Sequence, residues 1–230
     1  MTSLFVTGTD TGVGKTRVAT ALIRGLVSRG LRVAAMKPVA SGCTLTSEGP
    51  RNEDALALMA AANVRARYAE VNPFAFMPAI APHIAAREAG IDIDFDVLDR
   101  CRERLRMQSQ VLIIEGAGGW LAPLDDSRGF ADLAARWQTP VLLVVGLRLG
   151  CLNHALLTVE SIERRGLELI GWVGSAIHLG FERLAENVST LERRIAAPNL
   201  GILPFEPGAG PDEVAQGIAA DTLLRVLGLS

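Results

Sequence analysis

The sequence predicts an α/β fold: a single doubly wound, mainly parallel β-sheet flanked by helices. Three observations carry that prediction. Apolar runs of strand length alternate with longer helical patterns along the whole chain, the order that gives parallel sheets with helical crossovers. Hydrophobic residues make up 49% of the 230, which suits a sheet covered on both faces. The chain also opens with a strand, a glycine-rich turn and a helix in direct succession. Neither an internal repeat nor a disordered linker divides it, so residues 1–230 are expected to form one domain.

The first strand is Leu4-Phe5-Val6, and the first helix carries Val18, Leu22 and Leu26 at spacings of four. Between them lies Gly8-Thr9-Asp10-Thr11-Gly12-Val13-Gly14-Lys15-Thr16. Such a turn cradles phosphate, because glycines admit backbone N–H groups to the anion and the helix adds its positive end. Lys15 can reach β- and γ-phosphates, and the Thr16 hydroxyl can ligate Mg²⁺. The usual G-x-x-x-x-G-K-[ST] spacing calls for glycine at position 9, where Thr9 stands with Gly8 one residue early. A glycine turn that binds nothing is the bland alternative. Gly-Lys-Thr at a strand-to-helix junction argues against it.

Residues 32–36 read as a second strand ending at Lys37-Pro38. Pro38 keeps Lys37 extended, and the carboxyl ends of strands are where open α/β sheets bind ligands. Lys37 is thus expected near the phosphates, with Ser41-Gly42 leaving room for a substrate; a surface lysine at a turn is the alternative. Residues 43–51 read as a loop, and Asn52-Glu53-Asp54 opens a helix to about Ala62. On the residues alone, Asn52 or Asp54 is best read as its N-cap. The proline-rich residues 72–83 are expected to form an ordered crossing loop, and His83 has no partners at metal-ligand spacing. A helix follows over 94–107.

Val111-Leu112-Ile113-Ile114 predicts a buried strand with Glu115 at its carboxyl tip. That is the place for a Mg²⁺ ligand beside a phosphate loop, and Gly116, Gly118 and Gly119 permit close backbone approach. The alternative, a carboxylate at a solvent edge, fits poorly after a wholly apolar run. Strand 141–145 leads to Gly150-Cys151-Leu152-Asn153-His154, where a helix start running on to about Arg165 offers free N–H groups for a carboxylate. Strand 169–173, helix 181–194, strand 199–203 and a final helix over 212–227 complete the chain.

Net charge is −2 with scattered basic residues, so no nucleic-acid surface is expected. The apolar runs are too short to span a bilayer. The first basic residue is Lys15, so no secretory signal is expected. Cys43, Cys101 and Cys151 form no CxxC pair and read as reduced thiols. The expected setting is the cytoplasm.

Taken together, Gly8–Thr16, Lys37-Pro38-Val39-Ala40-Ser41-Gly42, Asn52-Glu53-Asp54-Ala55, Glu115-Gly116-Ala117-Gly118-Gly119 and Gly150-Cys151-Leu152-Asn153-His154 resemble dethiobiotin synthetase in order and spacing. Gly171-Trp172-Val173 and Gly201-Ile202-Leu203-Pro204 extend the resemblance over essentially the whole chain. It implies a P-loop NTPase fold and an ATP-dependent cyclo-ligase of biotin synthesis. Such an enzyme joins 7,8-diaminopelargonic acid and CO₂, supplied as bicarbonate, through a carbamate and a carbamic–phosphoric anhydride. By the same resemblance Lys15, Lys37, Thr11 and Ser41 are catalytic, and Thr16, Asp54 and Glu115 surround Mg²⁺, which raises Asp54 above its capping role. Nucleotide contacts fall to Gly12, Val13, Gly14, Lys15, Thr16, Arg17, Asp54, Glu115, Gly116, Ala117, Gly118, Ser175, Ala176, Pro204, Phe205 and Glu206. Thr11, Lys37, Ser41 and Gly118 face the diamine or its carbamate. The resemblance also implies a homodimer, with Gly150, Cys151, Leu152 and Asn153 of the neighbouring subunit near the substrate carboxylate.

Three positions depart from the family pattern. Gly12 stands where some members carry Glu, Ser175 where an Asn meets the adenine, and Asn187 where some place Tyr. Two rival readings exist. A related amidoligase needs a glutaminase domain for which this chain has no room. A partitioning-type switch ATPase carries a signature lysine before the glycines, where Asp10 stands, and basic surfaces for DNA or membrane; the last helix here has only Arg225.

Overall fold

The structure, a computed structural model, describes residues 1–229. β1 (Thr2–Gly8) alternates its side chains across the sheet: Phe5 packs on one face, while Leu4 and Val6 pack on the other. α1 (Lys15–Val27) begins at Gly14, whose left-handed backbone (φ 89°) turns the chain into the helix, with no side chain capping it. It buries Val18, Leu22 and Leu26, the stripe its four-residue spacing predicts.

β2 (Val33–Met36) is followed by β3 (Val39–Ala40), and the segment expected as loop at 43–51 is a small antiparallel hairpin, β4 (Thr44–Thr46) with β5 (Gly49–Arg51). α2 (Glu53–Ala61) is capped by Asn52, whose side chain accepts from the Ala55 N–H at 3.1 Å; Asp54 is left free for another role. Residues 72–83 are only partly irregular. α3 (Tyr68–Val71) leads into β6 (Phe74–Ala75), which pairs with β3, and Pro82 starts α4 (Pro82–Ala89).

α5 (Phe95–Gln108) precedes β7 (Val111–Glu115), and a short α6 (Phe130–Arg136) that the periodicity did not predict precedes β8 (Val141–Leu147). α7 (Cys151–Arg164), β9 (Leu169–Ala176), α8 (Leu184–Arg194) and β10 (Asn199–Leu203) follow. The predicted final helix is two pieces, α9 (Pro211–Gln216) and α10 (Ala220–Val226). The break has a cause: the Ala219 N–H leaves the helical pattern to donate to the Leu200 carbonyl of β10 at 2.7 Å.

Among the described residues the main sheet has six strands, all parallel, in the order β10-β9-β8-β1-β7-β2. This is the expected doubly wound α/β sheet. β1 lies between β7 and β8; the chain runs from β1 to β2 on one side and later crosses from β7 to β8 on the other, and the carboxyl ends beside β1 form the crevice where such sheets bind ligands. No helix is long and apolar enough to cross a membrane among the described residues.

Candidate active site

Strand register assembles the site. Met36 pairs with Ile114 and Val6 with Glu115, so the residues that end β1, β2 and β7 converge above the sheet. They border a cavity of about 700 Å³. One wall is the glycine turn, with Thr11, Gly12, Gly14, Lys15 and Thr16. Lys37, Ser41, Asn52 and Asp54 form the second, and Glu115, Ala117 and Gly118 the third. Ala79, Ile80 and Ala81, from the proline-rich segment expected as a crossing loop, close it with apolar surface. Gly118 adopts a left-handed backbone (φ 69°), and a Cβ on Gly119 would stand 3.6 Å from the Thr9 carbonyl oxygen. Gly118 is thus the position whose backbone favours glycine, while a side chain at Gly119 would make only ordinary contact.

Lys37 is 2% exposed and Glu115 is fully buried. The Lys37 ammonium donates to Glu115 Oε1 at 2.5 Å, to Asp54 Oδ2 at 2.9 Å and to the Gly116 carbonyl at 3.3 Å. Burial opposes its charge, but Glu115 and Asp54 outweigh burial and raise its pKa above the ordinary lysine value. For Asp54, burial acts to raise the pKa, and Lys37 leads the interactions that bring it below the usual carboxylate range. Lys15 behaves differently. Burial, then the Lys37 charge, lowers it to about 8, and its Nζ folds back to donate to the Asp10 carbonyl at 2.8 Å. Two lysines thus share one site, one locked between carboxylates and one resting on its own loop.

The Thr16 hydroxyl donates to Glu115 Oε1 at 2.8 Å, while Glu115 Oε2 is buried with no partner. An unpartnered carboxylate oxygen beside a hydroxyl and Asp54 is a hard-oxygen set of the kind Mg²⁺ takes together with substrate phosphates. No group of three or more His, Cys, Asp or Glu side chains that could hold a metal occurs among the described residues. Any ion here would draw further ligands from the nucleotide or water.

The remaining sequence-assigned residues fall outside this cavity. Val13 is buried under the turn, and Gly116 lies behind Lys37. Arg17 donates to the Pro204 carbonyl at 2.7 Å and stands 3.9 Å from the Glu206 carboxylate, which ties α1 to the segment Pro204-Phe205-Glu206. Ser175 is buried against Gly14: a Cβ there would meet Ser175 Oγ at 2.8 Å. Ala176 ends β9 next to it. Gly150, Cys151, Leu152 and Asn153 start α7 with no side-chain cap and do not line the cavity. Asn187 lies within α8, where its amide donates to the Arg183 carbonyl. Sequence reasoning missed an ion pair that links the two loops: Arg148, just before α7, meets Asp10 of the glycine turn at 2.5 Å. The charge of Asp10 was visible; its partner 138 residues away was not. Cys43, Cys101 and Cys151 are buried free thiols, and burial raises the pKa of Cys43 and Cys101, away from nucleophilic use.

A parallel sheet with a glycine turn, a helix N-terminus and a Lys-Thr pair at its central crevice defines a P-loop nucleotide-binding protein. A family model described as an AAA domain matches residues 2–213. Over its full 230 residues the chain is 49% identical to the ATP-dependent dethiobiotin synthetase BioD of Pseudomonas paraeruginosa (strain DSM 24068 / PA7), covering 99% of that protein. It is 46% identical over 216 residues to the same enzyme from Xanthomonas axonopodis pv. citri (strain 306), covering 94% of this chain and 96% of that one. The chain belongs to the dethiobiotin synthetase family. Among solved structures it is similar to the MinD cell division protein of Aquifex aeolicus, with a TM-score of 0.61 and 15% identity over 100% of this chain and 98% of that one. At that identity the likeness speaks for the fold alone.

Proposed function

We propose that the protein is an ATP-dependent dethiobiotin synthetase acting as a single domain. It closes 7,8-diaminopelargonic acid with CO₂ to dethiobiotin, converting ATP to ADP and phosphate. One amine attacks CO₂ and loses a proton, giving a carbamate. A carbamate oxygen attacks the γ-phosphorus as its bond to ADP breaks. The second amine then attacks the carbamoyl carbon, loses a proton, closes the ring and expels phosphate.

The observation that supports this most directly is the convergence of Lys15, Lys37, Thr16, Asp54 and Glu115 on one cavity. Its chemistry sets anion against anion, so the protein must supply fixed positive charge and alignment. In this reading Lys15 turns from the Asp10 carbonyl to the β- and γ-phosphates. Lys37 keeps its contact with Glu115 and directs a proton of its ammonium at the carbamate oxygen. Thr11, Ser41 and Gly118 position the diamine. Thr16, Asp54 and Glu115 would hold Mg²⁺, which neutralises phosphate charge when bound. The nucleotide runs from Gly12, Val13, Gly14 and Lys15 along Glu115, Gly116 and Ala117, with its base toward Arg17, Ser175, Ala176 and Pro204-Phe205-Glu206. Ser175 leaves a single hydroxyl to read that base.

A homodimer completes the reading. Leu149 is 92% exposed beside the α7 start, and Leu121 and Leu157 are more than half exposed. Exposed apolar side chains such as these are expected at a contact between copies, with Gly150-Cys151-Leu152-Asn153 of one subunit offered to the substrate carboxylate of the other. The protein is expected to work in the cytoplasm without nucleic acid or membrane.

The test is product analysis by mass spectrometry after incubation with the diamine, bicarbonate, ATP and Mg²⁺. Dethiobiotin that requires all four supports the reading. Phosphate release without dethiobiotin would direct the search to another acceptor, and turnover that answers to DNA or lipid would favour the switch ATPase.

A further inference from the structure

Lys37 lies just beyond β2, where the sheet no longer holds its backbone. Its N–H donates instead to the Val71 carbonyl at 2.8 Å, and its own carbonyl accepts from Asn72 Nδ2 at 2.7 Å. Asn72 is 2% exposed. Its other amide atom, Oδ1, accepts a hydrogen bond of 2.8 Å from the hydroxyl of Tyr68, the chain's one tyrosine. That hydroxyl accepts in turn from the Asn52 N–H at 2.7 Å.

Asn52 caps α2, and Asp54 in the first turn of α2 holds the Lys37 ammonium at 2.9 Å. The Asn52 amide also reaches the Ser41 carbonyl at 3.4 Å. The chain of contacts closes on itself. It runs from the Lys37 carbonyl through Asn72, Tyr68 and Asn52 to Asp54, and back to the same lysine at its ammonium. One phenol hydroxyl sits where the backbone anchor of the lysine and the start of the aspartate-bearing helix meet.

We propose that Tyr68 is a positioning residue for the reaction: through Asn72 and Asn52 it fixes Lys37 and Asp54 relative to each other and to the cavity. The inference rests on the role given above to Lys37. A lysine has a flexible four-carbon stem, so the place of its ammonium is defined only if its backbone and its counter-charge are both fixed. Tyr68 also carries Arg51 stacked on its ring at 4.2 Å, a contact phenylalanine would keep. Removing the hydroxyl alone therefore separates the hydrogen-bond relay from ring packing, leaving the Asn52 N–H and Asn72 Oδ1 without their partner.

The experiment compares Tyr68→Phe, Asn72→Leu and Lys37→Ala in steady-state turnover of the diamine, with ATP affinity measured separately and each variant assayed well below its melting temperature. Tyr68→Phe is expected to lower kcat about tenfold, as a small misplacement of a reacting group does, while KM for ATP at saturating Mg²⁺, which covers any weakening at Asp54, stays within about twofold because the relay does not touch the glycine turn. A loss of stability alone would not split kcat from the ATP KM in this way. Asn72→Leu cuts the same relay at the Lys37 carbonyl and is expected to show the same split. If Lys37→Ala is crippled while Tyr68→Phe turns over like the parent, the positioning role is wrong and the lysine's role stands. If Lys37→Ala itself turns over like the parent, both are overturned.

Discussion

The ammonium of Lys37 and the carboxylate of Glu115 lie 2.5 Å apart, joining residues 78 positions apart in sequence. The parallel register of β2 on β7 pairs Met36 with Ile114, so each of the two residues is the next step beyond that pair. The sheet register thus brings the two residues to the same edge, and the contacts of Lys37 with Val71 and Asn72 hold its backbone there, one residue past the ladder. It sets a fixed positive charge at the edge of the phosphate cradle.

Lys37→Ala is expected to leave ATP binding largely intact and to cut turnover by about a hundredfold or more, the scale of losing a preorganised charge at the reacting oxygens. Glu115 is left buried without its main partner, so a lower melting temperature should accompany the loss. Calorimetric ATP titration beside steady-state kinetics checks both parts.

Thr16→Val removes a hydroxyl that touches Glu115 and would face Mg²⁺. The Mg²⁺ concentration for half-maximal turnover should rise about tenfold, the scale of losing a metal contact. Thr16→Ser, which keeps the oxygen, should stay near the parent. A metal titration of activity at fixed ATP reads the difference.

Gly201 holds φ at 149°, and a Cβ added there would meet the Gly217 carbonyl oxygen at 2.1 Å. Gly201→Ala must move β10 away from the turn between α9 and α10. A loss of about 3 kcal/mol or more is expected, seen as a lower urea midpoint or as insoluble protein.

Asp125 is opposed by burial, yet the Ser127 and Arg128 N–H groups and the Arg128 guanidinium bring its pKa down to about 2. A carboxyl lowered on folding stabilises the protein above its unfolded pKa, and that contribution is lost as pH falls through the folded one. Asp125→Asn should therefore be less stable than the parent near neutral pH. The gap in urea midpoint should narrow as pH falls from about 5 toward about 3.

The sheet was legible because buried parallel strands read as unbroken apolar runs, as in Val111–Ile114 and Val141–Val145. The phosphate cradle was legible because it is contiguous in sequence. Short helices were harder. α4 carries Pro82 at its start and left-handed Gly90 at its end; Pro82 falls in the segment expected as a crossing loop over 72–83, and residues 84–93 carry no expected element. α6 shows itself mainly in the Asp132 carboxylate accepting from the Gly129 N–H. The break between α9 and α10 depends on the Leu200 carbonyl, a tertiary contact that no helical periodicity records. The Asp10–Arg148 pair and the Tyr68 relay were invisible for the same reason: each joins residues whose nearness is made by the fold.

The most direct test of the proposed chemistry follows the oxygen. With bicarbonate labelled with ¹⁸O, attack of a carbamate oxygen on the γ-phosphorus and later expulsion of phosphate must carry that oxygen into the product. Phosphate bearing one ¹⁸O, formed in step with dethiobiotin, is the expected result. Unlabelled phosphate released alongside dethiobiotin, from bicarbonate that has kept its label, would contradict the anhydride route and the role assigned to Lys37 within it.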